Sequence, residues 1–496
     1  MTTTTSATAP DSDVTAAFPR RPRPGIVMGL RGGQIGLLST AGLLLVLVTF
    51  TGAFPSLSRG AVLGIVGVLV LLAVATVQDR PAYAWLAGRV SHAFRARSGN
   101  TTMSRPIRAG TIRAPRLDRG VGLLPGRATA IQVHDLDGIG YLYHPHVGTL
   151  TGIVEVTSPE FLLRDPADRN ARVAGWGRVL AAATRTGAIR QVQLLERSIP
   201  DDGSALAAYT DTHLTTEPRQ LELADTYRDL VGHLRGGADR HQSFLAVTID
   251  RAAAATRVKA AGGSITGLIA TWRQEYALLE RLLPSAGLDV VDALSPRRIA
   301  EVIRTGYDPT TALHLPPGGI DLAVAGPSGG REEWDHLHTD GAFHAVLWVA
   351  EWPRAHVAAD VLWPIVFPAG VQRTLSLFYK PYTRTESETA IRAKHSEIIQ
   401  SSWLKDKLGR VETLADAKEL DDVLARESEL LAGHGEVGLL GMVTVSARSL
   451  DDLDAAITTV HAAATQASVD LRRVYGQQLQ AFTAAALPLG IPVVTT

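Results

Sequence analysis

The sequence predicts an α/β protein: a two-helix transmembrane hairpin, then a cytoplasmic α/β region of two modules, the second ferredoxin-like. Three observations predict it. Two long uncharged apolar runs lie near the N-terminus. Arginines crowd around those runs and leave the rest of the chain acidic. Beyond about residue 120, strand-like and helix-like patterns alternate.

At 496 residues the chain exceeds what one ordinary core accommodates, so several domains are expected. The formal net charge is zero, but up to residue 120 there are fourteen Arg, no Lys and four acids (Asp11, Asp13, Asp79, Asp118). A basic, apolar beginning followed by an acidic remainder is the pattern of a membrane anchor with a soluble body. Cysteine is absent, which excludes disulfides, thiolate metal sites and a cysteine nucleophile.

Residues 1–25 are rich in Thr, Ala and Pro without apolar periodicity, and predict a disordered tail. Ile35 to Phe54 is a run of twenty residues without a charge, and Ala61 to Val77 one of seventeen. These lengths match the hydrocarbon core of a bilayer, the second at its lower limit. Pro55 to Gly60 supplies the turn. Arg20, Arg21, Arg23 and Arg31 precede the first run, nine arginines from Arg80 to Arg119 follow the second, and the loop holds only Arg59. The positive-inside bias then places both termini in the cytoplasm of a multi-pass inner (cytoplasmic) membrane protein. A signal peptide would have a shorter apolar core and would leave the second run unexplained. Residues 26–100 are thus hairpin plus basic juxtamembrane helix, with Tyr83 and Trp85 at the interface and the Arg-rich stretch on anionic lipid headgroups.

The first module is assigned to 101–330. Ala128 to Val133, Tyr141 to Tyr143, Thr151 to Val156, Gln191 to Leu195 and Phe244 to Ile249 read as strands, Arg169 to Thr186 and Ala252 to Leu283 as helices, and Pro200 to Glu217 as a loop. A Pro/Gly-rich region, Leu315 to Gly319 and Gly326 to Gly330, marks the boundary. In the second module, 331–496, Phe343 to Glu351, Thr374 to Tyr379 and Val437 to Val445 are expected strands, and Arg384 to Ala432 is helical. A capping-box-like Ser449-Leu-Asp-Asp452 opens a last helix striped with Leu450, Leu453, Ile457, Val460, Ala464, Ala467, Leu471 and Val474.

Motifs that carry chemistry are sparse. No G-x-x-x-x-G-K-[ST] loop occurs in the sequence, and Gly262 to Gly267 reads as a break in a helix rather than a phosphate loop. Gly326-Pro-Ser328-Gly-Gly330 has the spelling of a nucleophile elbow, with Asp340 and His461 downstream, but lacks an oxyanion motif of the His-Gly-Gly-Gly kind. His336 and His338 would share a strand face near His344, Asp335 and Asp340; an exposed polar strand looks the same as a metal site there. His144 and His146 flank Pro145 in a turn without an assigned role. The acidic body lacks a basic stripe interleaved with aromatics, so direct nucleic-acid binding by it is not expected.

Leu124-Pro125-Gly126, Trp176-Gly177, Glu196-Arg197, Glu351-Trp352-Pro353-Arg354, the run Glu427 to Gly435, and Gln477 leading to Leu487-Pro488-Leu489 occur in this order. From about residue 26 onward the chain resembles membrane proteins of actinobacterial conjugation-type (type IV) secretion systems. In these a small inner-membrane hairpin subunit is joined to a body like the N-terminal domain of the large secretion ATPase. The resemblance implies a non-catalytic platform without cofactor, docking a separate ATPase, contacting lipid through the hairpin, and self-associating. In full-length ATPases a nucleotide domain would follow the Leu-Pro-Leu segment, where this chain stops. Glu351, Trp352, Pro353 and Arg354 are the candidate interaction residues; no catalytic or metal residue is carried over. A membrane component of type VII secretion and a membrane-anchored serine hydrolase using Ser328 are the competing expectations.

Overall fold

The computed structural model describes residues 18, 32–50, 59–78, 80–104, 130–158, 161–201, 203, 209–210, 212–213, 221–234, 238–316, 318–355, 357–383, 385–389 and 435–491. The expected tail 1–25 apart from residue 18, the turn at 55–58, Leu124 to Gly126, the rest of the helix expected over 384–432 beyond the helical 385–389, and the run 427–434 lie outside them. The described chain mixes helix with one large antiparallel sheet. It divides into two units, one holding 21–101 and one holding 102–383 and 435–496.

In the first unit, apolar sequence makes two helices, α1 (Gly32–Phe50) and α2 (Arg59–Val74). Gln34 near the start of α1 donates from Nε2 to the Ala73 carbonyl near the end of α2, at 2.7 Å, so the two run antiparallel. One window, Gly32–Thr49, is long and apolar enough to cross a membrane, with a mean hydropathy of 1.7 and only 17% of it buried; α2 is a shorter apolar helix. A third helix, α3 (Ala82–Arg97), begins after Pro81 and carries Arg95 and Arg97 in its last turn, where cations complement the helix dipole.

The second unit is built on thirteen strands. They are β1 (Thr102–Ser104), β2 (Gln132–Leu136), β3 (Ile139–His144), β4 (Thr149–Thr157), β5 (Ile189–Asp201), β6 (Ala238–Asp250), β7 (Asp289–Ala293), β8 (Gly329–Glu332), β9 (Leu337–Thr339), β10 (Ala342–Glu351), β11 (Gln372–Pro381), β12 (Val437–Ala447) and β13 (Asp470–Arg473). The order is β1-β8-β9-β10-β12-β11-β5-β6-β4-β3-β2, with β13 also on β10 and β7 also on β4. Every pairing is antiparallel. The boundary expected at residue 330 falls inside β8, and strands from both sides of it share this one sheet.

The sheet is a duplication. In each half a short hairpin (β2-β3, or β8-β9) leads into a long strand (β4, or β10). A crossover then leads to β5 or β11, a second connection to β6 or β12, and a helix to β7 or β13. The resulting orders, β7-β4-β6-β5 and β13-β10-β12-β11, are the same. Small details repeat. Gly287 and Ser468 both have positive φ (68° and 55°) two residues before the strands that begin at Asp289 and Asp470. Leu294 N donates to the Ile153 carbonyl as Val474 N does to that of Val346. The equivalent strands β5 and β11 pair antiparallel with each other, Leu195 opposite Ser376, as an approximate twofold requires.

Helices cover both faces. On one, α7 (Pro296–Tyr307) and α9 (Gln478–Ala485) set Ile299, Val302, Ile303, Leu479 and Phe482 against Leu195, Phe244, Val346 and Met442, one core running through both halves. On the other, α4 (Pro166–Arg185) and α6 (Ile265–Glu280) pack on the first half, and α8 (Leu450–Gln466) with the turn Trp363–Val366 on the second. A further helix, α5 (Leu221–Leu234), lies between β5 and β6.

Two expected helices are shorter than their patterns. Ala252 to Leu283 is interrupted at Gly262 (φ 102°) and Gly263 (φ 70°), and α6 restarts behind Ser264, which caps it by accepting from Gly267 N. The last helix stops at Gln466 because the chain reverses at Ser468. Leu471 therefore lies in β13 and Val474 just beyond it, both buried from the strand side. Ahead of Ser328, where a nucleophile elbow would need a strand, the chain forms a 3₁₀ turn, Leu322–Val324, capped by the Asp321 carboxylate on Ala323 N at 2.7 Å.

Candidate functional site

The Glu351 to Arg354 segment is the corner where β10 leaves the sheet. The Trp352 ring is seated over Gly441 of β12, where an added Cβ would lie 2.8 Å from it. Phe18 stacks on the same ring, with centroids 4.8 Å apart and planes within 3°. Pro353 is buried beside it. Glu351 and Arg354 point outward and pair at 2.6 Å with half or more of each side chain exposed. The four residues thus split into an apolar anchor and an exposed ion pair, the arrangement of a rigid surface corner able to make contacts.

The nucleophile elbow does not form at Ser328. The residue is exposed between the 3₁₀ turn and β8, without the strand-turn-helix that would present its hydroxyl. Asp340 is occupied elsewhere: Oδ1 accepts from Ser328 N (2.8 Å) and Gly329 N (3.1 Å), and Oδ2 pairs with Arg304 at 2.7 Å. His461 lies on α8 near Asp470 and Arg473. Nor do the three histidines converge. His336 bonds Asp335, His338 stacks on Phe343, and His344 is buried between Thr339, the Tyr307 carbonyl and Ser446. Among the described residues no group of three or more His, Asp or Glu is placed to hold a metal. His144 is buried and packs edge-on against His146.

Sequence reasoning missed a polar cleft at the centre of the sheet. Glu196 and Arg197 are neighbours on β5, so their side chains leave on opposite faces. Arg197 enters the continuous core and is satisfied by neutral acceptors: Gln242 Oε1 (3.0 and 2.7 Å), the Val302 carbonyl (2.9 Å) and Thr305 Oγ1 (2.9 Å). Glu196 turns to the other face, where its carboxylate meets Arg373 of β11 and, at 2.8 Å, Nδ1 of His241 on β6. Burial pushes both Arg197 and Arg373 down to about 9. It also lowers His241, against an opposing effect of Asp239, and raises Asp239. The loop Val366 to Val371 walls a cleft of about 210 Å³ over these groups. The one sequence signal was the adjacent opposite charges Glu196-Arg197 following the apolar Leu194-Leu195, quoted above only as part of a motif. Its partners, Arg373 and His241, are remote in sequence and meet it through strand register.

No protein-family model matches the chain, and no curated protein matches it.

Proposed function

We propose that this protein is a non-catalytic inner-membrane platform subunit of a type IV-like secretion or conjugation system, which docks a separate cytoplasmic ATPase. The carrying observation is α1, an exposed apolar helix of spanning length near the N-terminus, joined to a large sheet-built body. In this reading α1 and α2 form the membrane hairpin with both termini cytoplasmic. Each half of the sheet is a ferredoxin-like unit, supported by the fully antiparallel order β13-β10-β12-β11 and its counterpart in the first half. Membrane lipid is a second partner. Leu86, Val90 and Phe94 on α3 are exposed and, with Tyr83 and Leu72, line an open apolar groove of about 590 Å³, while Arg89, Arg95 and Arg97 stand outside that groove on the same helix.

Crosslinking in native membranes, gentle detergent extraction and mass spectrometry of the co-purifying proteins test the reading. A Walker-containing ATPase crosslinked to residues beyond 120 is the expected result. Recovery of the protein alone, or with type VII components, overturns it. Within this reading, Arg354→Glu weakens the assembly while leaving the protein folded, because an exposed ion pair contributes less than about 1 kcal/mol to stability.

A further inference from the structure

We infer that Phe18 is a latch: it seats in an aromatic socket at Trp352 and ties the chain ahead of α1 to the sheet-built body. Phe18 is the only Phe, Tyr or Trp among the first 25 residues, in a Thr-, Ala- and Pro-rich sequence with little else to bury. Pro19 follows it and biases its backbone toward the extended form, so less freedom is lost when the ring docks. The Phe18 ring lies parallel to that of Trp352, with centroids 4.8 Å apart and planes within 3°. Such an offset stack is an arrangement that aromatic pairs favour. Phe18 and Trp352 belong to the same compact unit.

The socket is built into the sheet. Trp352 packs against the apolar core that β10, β12 and α8 share. Gly441 of β12 makes room for it: a Cβ there would lie 2.7 Å from Val349 Cγ2 and 2.8 Å from the Trp352 ring. Glycine weakens a strand interior, and here it marks the close approach of another group. Glu351 and Arg354 stay exposed on either side of Trp352 and Pro353. A partner that docks at this corner therefore meets a surface to which Phe18 contributes. The chain rejoins the body at β1, where Thr102, Met103 and Ser104 pair with Arg331, Gly330 and Gly329 of β8. Residues 19–101 thus form a loop whose two ends are held by one folded unit. Such a unit cannot stand on both sides of a bilayer, so the loop crosses an even number of times. Where α1 spans, α2 spans as well, despite its sixteen residues. This last step rests on the membrane reading above; the latch itself does not.

Photocrosslinking of the full chain in detergent micelles tests the latch, with p-benzoylphenylalanine at position 18 to keep an aromatic ring there. Crosslinks to the peptides that hold Trp352 and Gly441 are expected. Trp352→Leu, which keeps the site apolar, should lower their yield by roughly ten-fold, the upper value of one aromatic pair. Mixing unlabelled and isotope-labelled protein assigns the contact. Crosslinked pairs of a single isotope place both residues in one chain, whereas mixed pairs place Phe18 on a second copy and overturn the latch. Crosslinks confined to other peptides overturn it too. A second measurement serves should Trp352→Leu fail to fold. Ser12→Cys and the exposed Gln466→Cys, each in a chain without native cysteine, are treated with an impermeant maleimide in sealed vesicles. Both should react or both be shielded. One reactive and one shielded would set the chain ahead of α1 and the body on opposite sides of the membrane, which excludes the latch. Crosslinks at the socket without a co-purifying ATPase would remove the secretion reading and leave this inference standing.

Discussion

A buried charge held by neutral groups, and a buried histidine, can each be tested one side chain at a time. Arg197 has no carboxylate among its hydrogen-bond partners and relies on Gln242 for two of its bonds. Gln242→Ala would strand a buried guanidinium and should cost roughly 2–3 kcal/mol. Arg197→Met, which removes the charge along with its needs, should cost less, since apolar replacement of buried ions is often close to neutral. Thermal melts of the two variants decide the order. His344 gives the pH dependence. Burial pushes it down to about 4, while the unfolded chain titrates near 6.5. Above pH 6.5 the ring is neutral in both states and its stabilisation is fully present. Between 6.5 and 4 only the unfolded chain takes up the proton, so stability falls with pH, by on the order of 3 kcal/mol for the full shift. Melting temperature should therefore drop between pH 7 and pH 4.5. His344→Gln should flatten part of that slope, leaving the contributions of His134, His241 and His461, which burial also lowers.

At the scale of elements, what the sequence reveals depends on how local the cause is. The strands β4, β6, β10, β11 and β12 and the helices α4 and α8 follow from periodicity, because each buries one face or both against its own neighbours. The short β7 and β13 were illegible: each is held as a strand only by pairing with a distant one. The site followed the same division. The contiguous Glu351 to Arg354 segment could be named from the sequence as a motif, whereas the Glu196, His241 and Arg373 cleft is assembled by register. Close packing can also hide in one residue. A Cβ at Gly175 on α4 would lie 1.8 Å from the Ser285 carbonyl oxygen, so Gly175→Ala must push α4 away from that turn. The expected loss is roughly 1–3 kcal/mol or more, read from the melting temperature. The absence of native cysteine makes α3 open to single-cysteine labelling. If its apolar stripe lies in lipid, cysteines at Val90 and Phe94 are shielded from a water-soluble maleimide in vesicles, while one at Arg97 reacts. Equal reaction at all three would remove lipid from its surroundings.

At the scale of the whole sheet, the duplication changes what counts as an independent part. A Pro/Gly-rich connection at 315–319 looks like a linker between domains that fold separately. Yet β11 pairs with β5 from Tyr379↔Val192 to Thr374↔Arg197, joining the halves by a strand ladder rather than by a surface contact. The shared core runs through as well: Tyr307 of α7 stands against Phe482 of α9, with ring centroids 5.0 Å apart. Gln193 of the first half donates to Ser376 Oγ and to the Ala484 and Leu487 carbonyls of the second. Severing either half would expose two central strand edges and the apolar undersides of α7 and α9, a far larger loss than cutting one exposed loop. The two halves should thus behave as one cooperative body although their topologies repeat. A protease site inserted after Leu315 puts this to the test. After cleavage under native conditions the two fragments should co-elute and melt in a single transition close to that of the intact chain. Fragments that separate without denaturant would mean that the duplicated halves are autonomous domains, and that the ladder between β5 and β11 contributes little.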